Sequence, residues 1–176
     1  MKKMLSLVLS LTAISAVCSG VLVCANRFTK DAIAEMAAKK KVAAAKAVLP
    51  SETAEVSPGS LPGGEEYFIG RDQGGNITGY AITGSDPGGY GGDIVLMVGL
   101  QADKKTVVRY KTLSAAETPG LGMKLNTPEF SGQFAGKQAA GLKVRKDGGD
   151  IEAITAATIT SRAVCGAVSA AAAKLR

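Results

Sequence analysis

The sequence of 176 residues contains no histidine and no tryptophan, and its three cysteines form no CxxC pair. The missing histidine removes the usual general acid–base group and the commonest metal ligand at neutral pH. The scattered cysteines argue against a structural zinc site and against a cysteine-ligated iron–sulfur cluster. We therefore expect no metal site and no catalytic side chains, and we expect a bound cofactor to perform any chemistry.

Aromatic residues are also few, with four tyrosines and four phenylalanines. A platform that stacks nucleic-acid bases on aromatic side chains is therefore not expected. The net charge of +6 does not change this conclusion, because the cations concentrate near the N-terminus, at Lys2, Lys3, Arg27, Lys30 and Lys39 to Lys41. That distribution is typical of a membrane flank, and we predict no nucleic-acid partner.

Charge is absent from one long stretch, Met4 to Ala25. As a helix it would span about 33 Å, close to the thickness of the hydrocarbon core of a bilayer. A signal peptide has a shorter apolar region that ends in an A-x-A-like site, and this stretch has neither feature. We predict an uncleaved single-pass anchor over residues 1–25 in the inner (cytoplasmic) membrane, in contact with lipid. The preceding lysines favour a cytoplasmic N-terminus and an extracytoplasmic (periplasmic) domain.

Residues 26–50 are predicted to form a juxtamembrane helix. Phe28 to Leu49 is rich in alanine, contains no glycine or proline, and is followed by Pro50, which stops a helix. Its apolar positions are too sparse for a buried face, so we interpret it as a stalk that continues the anchor. Residues 51–176 are long enough for one domain with a single core.

The first part of this domain is predicted to be extended. The proline- and glycine-rich stretch Ser51 to Gly64 indicates a loop. Glu66 to Gly70 and Asn76 to Thr83 have the composition of strands. Ile94 to Ala102 and Thr106 to Leu113 are predicted to pair as an antiparallel hairpin.

The second part mixes a further loop with helices. Asp86 to Asp93 is rich in glycine and is interpreted as a loop. Pro128 to Phe134 predicts a short helix, Leu142 to Arg145 a short strand, and Thr160 to Lys174 a terminal helix. Hairpins followed by a terminal helix indicate an α+β fold with a mainly antiparallel sheet and flanking helices.

Three motifs are candidates for chemistry. Gly88 to Gly92 has neither the GxGxxG nor the GK[ST] spacing of a phosphate loop, so a flexible turn is the simpler interpretation. Pro119-Gly120 occupies the centre of a predicted type II turn, Thr118 to Leu121. Thr155 to Ser161 carries three threonines and a serine at the start of the terminal helix. These hydroxyls can hold a phosphate there, or they can only cap the helix.

Two of these stretches together resemble a known family. Glu117 to Lys124, ETPGLGMK, resembles the ETPGLG signature of the FMN-binding domain in the G subunit of Rnf electron-transport complexes. The C subunit of the sodium-pumping NADH:quinone oxidoreductase shares that domain. Ile154 to Ser161, ITAATITS, resembles their (S/T)GAT flavinylation motif. Three further elements resemble the family in their order: the anchor, the helix that ends in Val48-Leu49-Pro50, and the Gly89 to Gly92 loop. The resemblance therefore covers nearly the whole chain.

The resemblance implies a covalent flavin. In that family a separate flavin transferase, using FAD and a divalent metal, joins the FMN phosphate to the last threonine of the motif. The corresponding residue here is Thr158. The resemblance also implies that Glu117, Thr118, Gly120 and Leu121 approach the flavin. Thr155 and Thr160, in the hydroxyl-rich stretch around Thr158, are further cofactor-binding candidates. Lys124 or Arg162 is a candidate to offset the charge of the ester.

The chain departs from the family pattern at Ala156, where the family has glycine. If this position requires a positive φ, alanine is strained there by about 1 kcal/mol. A milder departure is Glu152, where the family often has aspartate. We expect flavinylation of Thr158 nonetheless, because the hydroxyl and its flanking residues are retained.

The resemblance implies a membrane-anchored flavoprotein that relays electrons as one component of an Rnf-type complex translocating Na⁺ or H⁺. Its partners would be the other membrane subunits, and alone it would turn over no substrate. Three alternatives remain open. They are the C subunit of a sodium-pumping quinone reductase, a stand-alone anchored FMN electron carrier, and a non-redox anchored assembly module whose threonines only cap a helix.

Overall fold

The structure, a computed structural model, describes residues 2–175. Met1 of the predicted anchor and Arg176 of the predicted domain lie outside the described residues. The chain divides into two compact units, Met1–Lys40 and Lys41–Arg176.

Most of the first helix, α1 (Lys2–Val48), belongs to the first unit, and the helix has no break between the predicted anchor and the predicted juxtamembrane helix. Its side chains are exposed from residue 3 to residue 43. Within residues 2–175 it is the one helix long and apolar enough to cross a membrane. The exposed stretch Met4 to Ala25 has no charged residue, and such a surface is typical of a segment that lies in lipid.

The second unit is built on a five-stranded antiparallel sheet in which each strand pairs with the next along the chain. Short connections between successive strands favour this antiparallel meander. The strands are β1 (Glu55–Ser60), β2 (Glu66–Arg71), β3 (Ile77–Gly89), β4 (Gly92–Gln101) and β5 (Val107–Ser114).

The terminal helix, α3 (Thr158–Lys174), covers one face of the sheet. Ile94, Leu96 and Val98 of β4 are buried in the core on this side. The helix lies very close to β3, since a Cβ placed on Gly84 would be 2.0 Å from the Ala167 carbonyl oxygen. The small residues of α3 permit this approach and make the helix part of the core.

The last turns of α1 cover the opposite face. Ala44, Ala45 and Val48 are buried there in a second cluster with Met97. A Cβ on Gly99 would be 2.0 Å from the Val48 carbonyl oxygen. The interpretation of Phe28 to Leu49 as a stalk without a buried face is therefore wrong for its last turns, where small residues pack against a glycine of the sheet.

The four predicted strands are confirmed as β2, β3, β4 and β5, and the last two pair as the predicted hairpin. The two predicted loops are partly wrong. Ser51 to Gly64 contains β1, whose Pro58 is tolerated because β1 is an edge strand. Most of Asp86 to Asp93 belongs to β3 and β4, which leave only Tyr90 and Gly91 between them.

Several short helical elements lie between β5 and α3. A 3₁₀ turn (Gly122–Asn126) leads to the short helix α2 (Pro128–Ser131), which continues as a 3₁₀ turn to Phe134 and confirms that prediction. The strand predicted at Leu142 to Arg145 is wrong, since only a single bridge joins Val144 to Ile151. A 3₁₀ turn, Arg145–Asp147, follows this bridge. The α+β fold class is confirmed.

Candidate functional site

A cavity of about 590 Å³ lies where the β3–β4 turn, the loop after β5 and the start of α3 meet. Its volume falls within the range typical of small-molecule sites. Glu117, Thr118, Leu121, Thr158 and Thr160 all line it, so five of the seven predicted cofactor-binding residues come together. The other lining residues are Tyr90, Gly122, Ala156, Ala157 and Ile159.

Glu117 connects the three segments of the cavity wall. Its side chain is only 7% exposed. Oε1 accepts a hydrogen bond from the backbone N–H of Tyr90 at 2.9 Å and a longer one from that of Gly91 at 3.4 Å. Oε2 accepts a hydrogen bond from Thr160 Oγ1 at 2.8 Å. A buried carboxylate is stable only when such donors replace the lost water.

Glycines surround this carboxylate because the space leaves no room for side chains. A Cβ on Gly122 would be 2.3 Å from Glu117 Oε2, and one on Gly89 would be 3.0 Å from Oε1. A Cβ on Gly91 would be 1.7 Å from the Ala116 carbonyl oxygen. The predicted turn between strands is confirmed at Tyr90 and Gly91, and the glycines around it allow close packing.

The loop after β5 turns at Thr118 to Leu121, as predicted. The N–H of Leu121 donates to the Thr118 carbonyl oxygen at 3.2 Å. Gly120 has a φ of 75°, which the third position of a type II turn requires. Thr118 and Leu121 line the cavity, whereas Gly120 sets the turn without lining it.

The first turn of α3 carries the hydroxyl groups, and no side chain among the described residues caps it. The N-cap position is Ala157, and Thr158 is the first helical residue, two residues before the predicted start. Thr160 bonds to Glu117, while Ser161 Oγ donates to the Ala157 carbonyl oxygen and accepts from the Ile154 N–H. Such a helix start leaves backbone N–H groups open, and its dipole favours a negative charge.

Thr158 differs from the other hydroxyl residues of this turn. It is half-buried and lines the cavity. Its side chain makes no hydrogen bond within residues 2–175, whereas Thr160 and Ser161 are already engaged. Thr155 is exposed and does not line the cavity, so the structure does not bring it to the other candidates.

Ala156 has a φ of 62°. This is the left-handed region that glycine enters freely and that costs an L-residue about 1–2 kcal/mol. The expectation that alanine is strained at this position, if it needs a positive φ, is therefore confirmed.

Neither candidate cation lines the cavity. Arg162 is engaged by Asp147 through two hydrogen bonds, from Nε at 2.6 Å and from Nη2 at 2.7 Å. The hydrogen bond and charge of Arg162 lower the pKa of the Asp147 carboxyl. Lys124 lies with Thr155 along a separate groove of about 380 Å³.

Residues 89–173 match the FMN-binding domain family, and all ten lining residues fall within this range. Over 179 residues, the chain is 32% identical to the G subunit of the ion-translocating oxidoreductase complex of Methanosarcina acetivorans. That alignment covers 97% of this chain and 93% of the relative. The chain belongs to the G-subunit family.

Other members of the G-subunit family are similarly related. The G subunit of the ion-translocating oxidoreductase complex of Escherichia coli K12 is 34% identical over 176 residues, with 91% of this chain and 85% of that protein covered. The G subunit of the Na⁺-translocating ferredoxin:NAD⁺ oxidoreductase complex of Acetobacterium woodii is 30% identical over 190 residues, with coverage of 96% and 89%.

The G-subunit chain also shares its fold with solved structures. NqrC of Shewanella oneidensis superposes with a TM-score of 0.52 at 21% identity, covering 70% of this chain and 65% of that one. The C subunit of the Na⁺-translocating NADH-quinone reductase of Parabacteroides distasonis gives 0.51 at 22% identity, with coverage of 63% and 61%. The chain thus spans less than two thirds of each solved chain.

Sequence reasoning missed five lining residues as site residues. Gly122 ends the ETPGLG stretch itself, so its motif position was a usable signal. Three others lie between the threonines at the start of α3, namely Ala156, Ala157 and Ile159. Their place beside predicted site residues was the signal for them. Tyr90 lies in the Gly89 to Gly92 loop of the resemblance, but only the contact with Glu117 shows that this turn reaches the cavity.

Proposed function

We propose that this chain carries FMN as a phosphoester of Thr158 Oγ1 and relays electrons within an ion-translocating oxidoreductase complex that moves Na⁺ or H⁺. One observation carries the proposal. Within the described chain, Thr158 is the hydroxyl residue of the α3 start that both lines the family-matched cavity and makes no hydrogen bond. The non-redox alternative required threonines that only cap a helix, and no described side chain caps α3.

The lining residues fit FMN in their chemistry. Tyr90, Leu121 and Ile159 offer apolar surface suited to a planar ring. The open start of α3 suits a phosphate. Both carboxylate oxygens of Glu117 already accept hydrogen bonds from the protein. The cavity is also large enough for most of the ring system.

Attachment is proposed to consume FAD, with a flavin transferase as the partner enzyme. A bond forms between Thr158 Oγ1 and the phosphorus on the FMN side of FAD, while the phosphoanhydride bond of FAD breaks. AMP leaves and the threonine proton is released. The half-buried position of Thr158 at a helix start leaves its oxygen accessible while the helix backbone fixes the direction of approach.

The protein's part in electron transfer is then to bind and orient. The isoalloxazine ring of the bound FMN supplies the electron-carrying chemistry. Leu121 and Ile159, which are 42% and 48% exposed, would be covered on one side by that ring. A tether through the phosphate keeps the ring from leaving between electron transfers. The chain then acts as an electron carrier and turns over no substrate alone.

We propose that residues 1–25 anchor the chain in the inner membrane as a single pass, followed by the juxtamembrane helix 26–50 and the flavin-carrying domain 51–176. The exposed apolar surface of α1 supports contact with lipid. The names of the relatives support other subunits of a membrane complex as partners. The domain is proposed to lie on the extracytoplasmic side.

Co-expression with a flavin transferase tests the proposal. We expect the wild-type chain to give a fluorescent band after denaturing electrophoresis, Thr158→Val to give none, and Thr158→Ser to restore it. Thr112→Val is the matched control, because it removes a buried hydroxyl that has no partner in the described chain. A wild-type band without fluorescence, or fluorescence that survives Thr158→Val, contradicts the proposal.

A further inference from the structure

Among the described residues, Glu117 is the one acidic side chain that lines the cavity. It is buried, and no cation pairs with it in the described part of the chain. Its hydrogen-bond donors come instead from two other segments, the β3–β4 turn and the first turn of α3. A buried carboxylate held in this way joins segments that are distant in sequence, and its loss would leave them unconnected at this point.

We propose that Glu117 is a positioning residue, which holds the first turn of α3 through Thr160 and thereby fixes Thr158 for attachment of the flavin. The inference rests on the proposed function of Thr158. It assigns Glu117 a role in the protein before any flavin is bound, and it does not depend on contact between Glu117 and the flavin.

The start of α3 needs such a contact because no other side-chain hydrogen bond within residues 2–175 ties it to the sheet side of the cavity. Its N-cap is Ala157, which offers no side-chain hydrogen bond, and uncapped helix ends fray. Ser161 bonds only to Ile154 and Ala157, in the loop just before it. The bond from Thr160 to Glu117 reaches a different part of the fold, across 43 residues of sequence.

Thr160 and Thr158 lie on the same helical turn, so fixing one limits the movement of the other. A nucleophile held in place reacts faster than one that samples many positions. The surrounding space supports this role. A Cβ on Gly122 would be 2.3 Å from Glu117 Oε2 and 2.9 Å from Thr160 Oγ1, so the pair fills the gap between loop and helix.

The test uses the full-length chain in detergent with purified flavin transferase, FAD and Mg²⁺, and it measures the initial rate of covalent labelling. Thr160→Val keeps the shape of the side chain and removes the donor. We expect the limiting rate to fall about tenfold, since the lost bond involves a charged acceptor. The KM for the chain should stay unchanged. Thr160→Ser should restore the rate, and Thr112→Val should label at the wild-type rate.

Glu117→Gln separates geometry from charge. The glutamine carbonyl can accept from Tyr90 and its amide can donate to Thr160 Oγ1, so labelling should stay within about threefold of wild type. Glu117→Ala removes both contacts and should match Thr160→Val. Glu129→Gln, a change of an exposed acid outside the cavity, controls for net charge.

Hydrogen exchange on the unlabelled chains gives a readout that does not depend on flavin. In Thr160→Val, amides 161–164, which make the first hydrogen bonds of α3, should exchange about tenfold faster, while those of β4 stay unchanged. Labelling of Thr160→Val at the wild-type rate, or slow labelling with unchanged exchange at 161–164, overturns the positioning role. If the wild type is not labelled, the proposed function fails. Exchange alone then decides whether Glu117 holds the turn: faster exchange supports it, and unchanged exchange overturns it.

Discussion

Thr160 Oγ1 lies 2.8 Å from Glu117 Oε2, and the two buried side chains are 43 residues apart in sequence. This hydrogen bond brings the ETPGLG loop onto the start of α3. It also explains why the two motifs occur together, since each supplies one partner. The hydroxyl that remains without a partner on that turn is Thr158, in the described chain.

Ala156→Gly is expected to relieve backbone strain. Ala156 is exposed and has a φ of 62°, whereas Ala135 is exposed with a φ of −60°. Glycine adds the same flexibility to the unfolded chain at either position. Ala156→Gly should therefore be more stable than Ala135→Gly by about 1–2 kcal/mol. Urea unfolding of the detergent-solubilised chain, followed by the near-ultraviolet tyrosine signal, measures the difference. Equal stabilities would show that the positive φ costs nothing.

Gly84→Ala is expected to separate β3 from α3. The new methyl group would be 2.0 Å from the Ala167 carbonyl oxygen and 2.7 Å from the Ala171 Cβ. The Ala167 carbonyl belongs to the helix backbone and cannot move aside as a flexible side chain can. We therefore expect the free energy of unfolding to fall by about 1–3 kcal/mol. Gly132→Ala is the control, because no described atom beyond its chain neighbours and its own helix backbone lies within 4 Å of its added Cβ. It should be neutral or stabilise slightly. A Gly84→Ala chain as stable as Gly132→Ala would contradict the close packing.

Asp147→Asn is expected to destabilise the chain at neutral pH but not in acid. The hydrogen bond from Arg162 lowers the pKa of Asp147. A carboxyl with a lowered folded pKa stabilises the fold above its unfolded pKa, about 3.9. That contribution disappears as the pH falls through the folded pKa. The wild-type advantage should thus be constant near neutral pH and shrink below about pH 4.

Asp150→Asn is the control for this pH dependence. Asp150 lies 3.9 Å from Lys137 Nζ, and its side chain is 85% exposed. An ion pair this long and exposed contributes little. Urea unfolding is measured from neutral to acid pH. Asp147→Asn should be less stable than Asp150→Asn at neutral pH, and the two variants should become equally stable in acid. A wild-type advantage over Asp147→Asn that grows on acidification would contradict the assignment.

Local patterns predicted the parts of the fold that depend on neighbouring residues. Pro119-Gly120 predicted a type II turn, and the φ of Gly120 has the sign that this turn requires. The pairing of β4 with β5 followed from two apolar runs separated by a short polar turn. The strain predicted at Ala156 depended on a positive φ at this position. The family glycine there indicated that φ correctly.

Two of the errors concern contacts between parts of the chain that are distant in sequence. Asp86 to Asp93 looked like a loop because it is rich in glycine, but those glycines admit Glu117 and the backbone of Ala116. The last turns of α1 looked too poor in apolar residues to be buried, but Gly99 allows the helix backbone to approach the sheet. The partner of Thr160 lies 43 residues away, so no local pattern could distinguish this bond from a helix cap.

Peptide mapping of the chain co-expressed with a flavin transferase tests the central claim most directly. Trypsin should release residues 147–162, which contain Thr155, Thr158, Thr160 and Ser161 on one peptide. We predict that this peptide gains the mass of one FMN less one water, and that fragment ions locate the gain on Thr158. An unmodified peptide, or a flavin on any of the other three hydroxyls, would contradict the account.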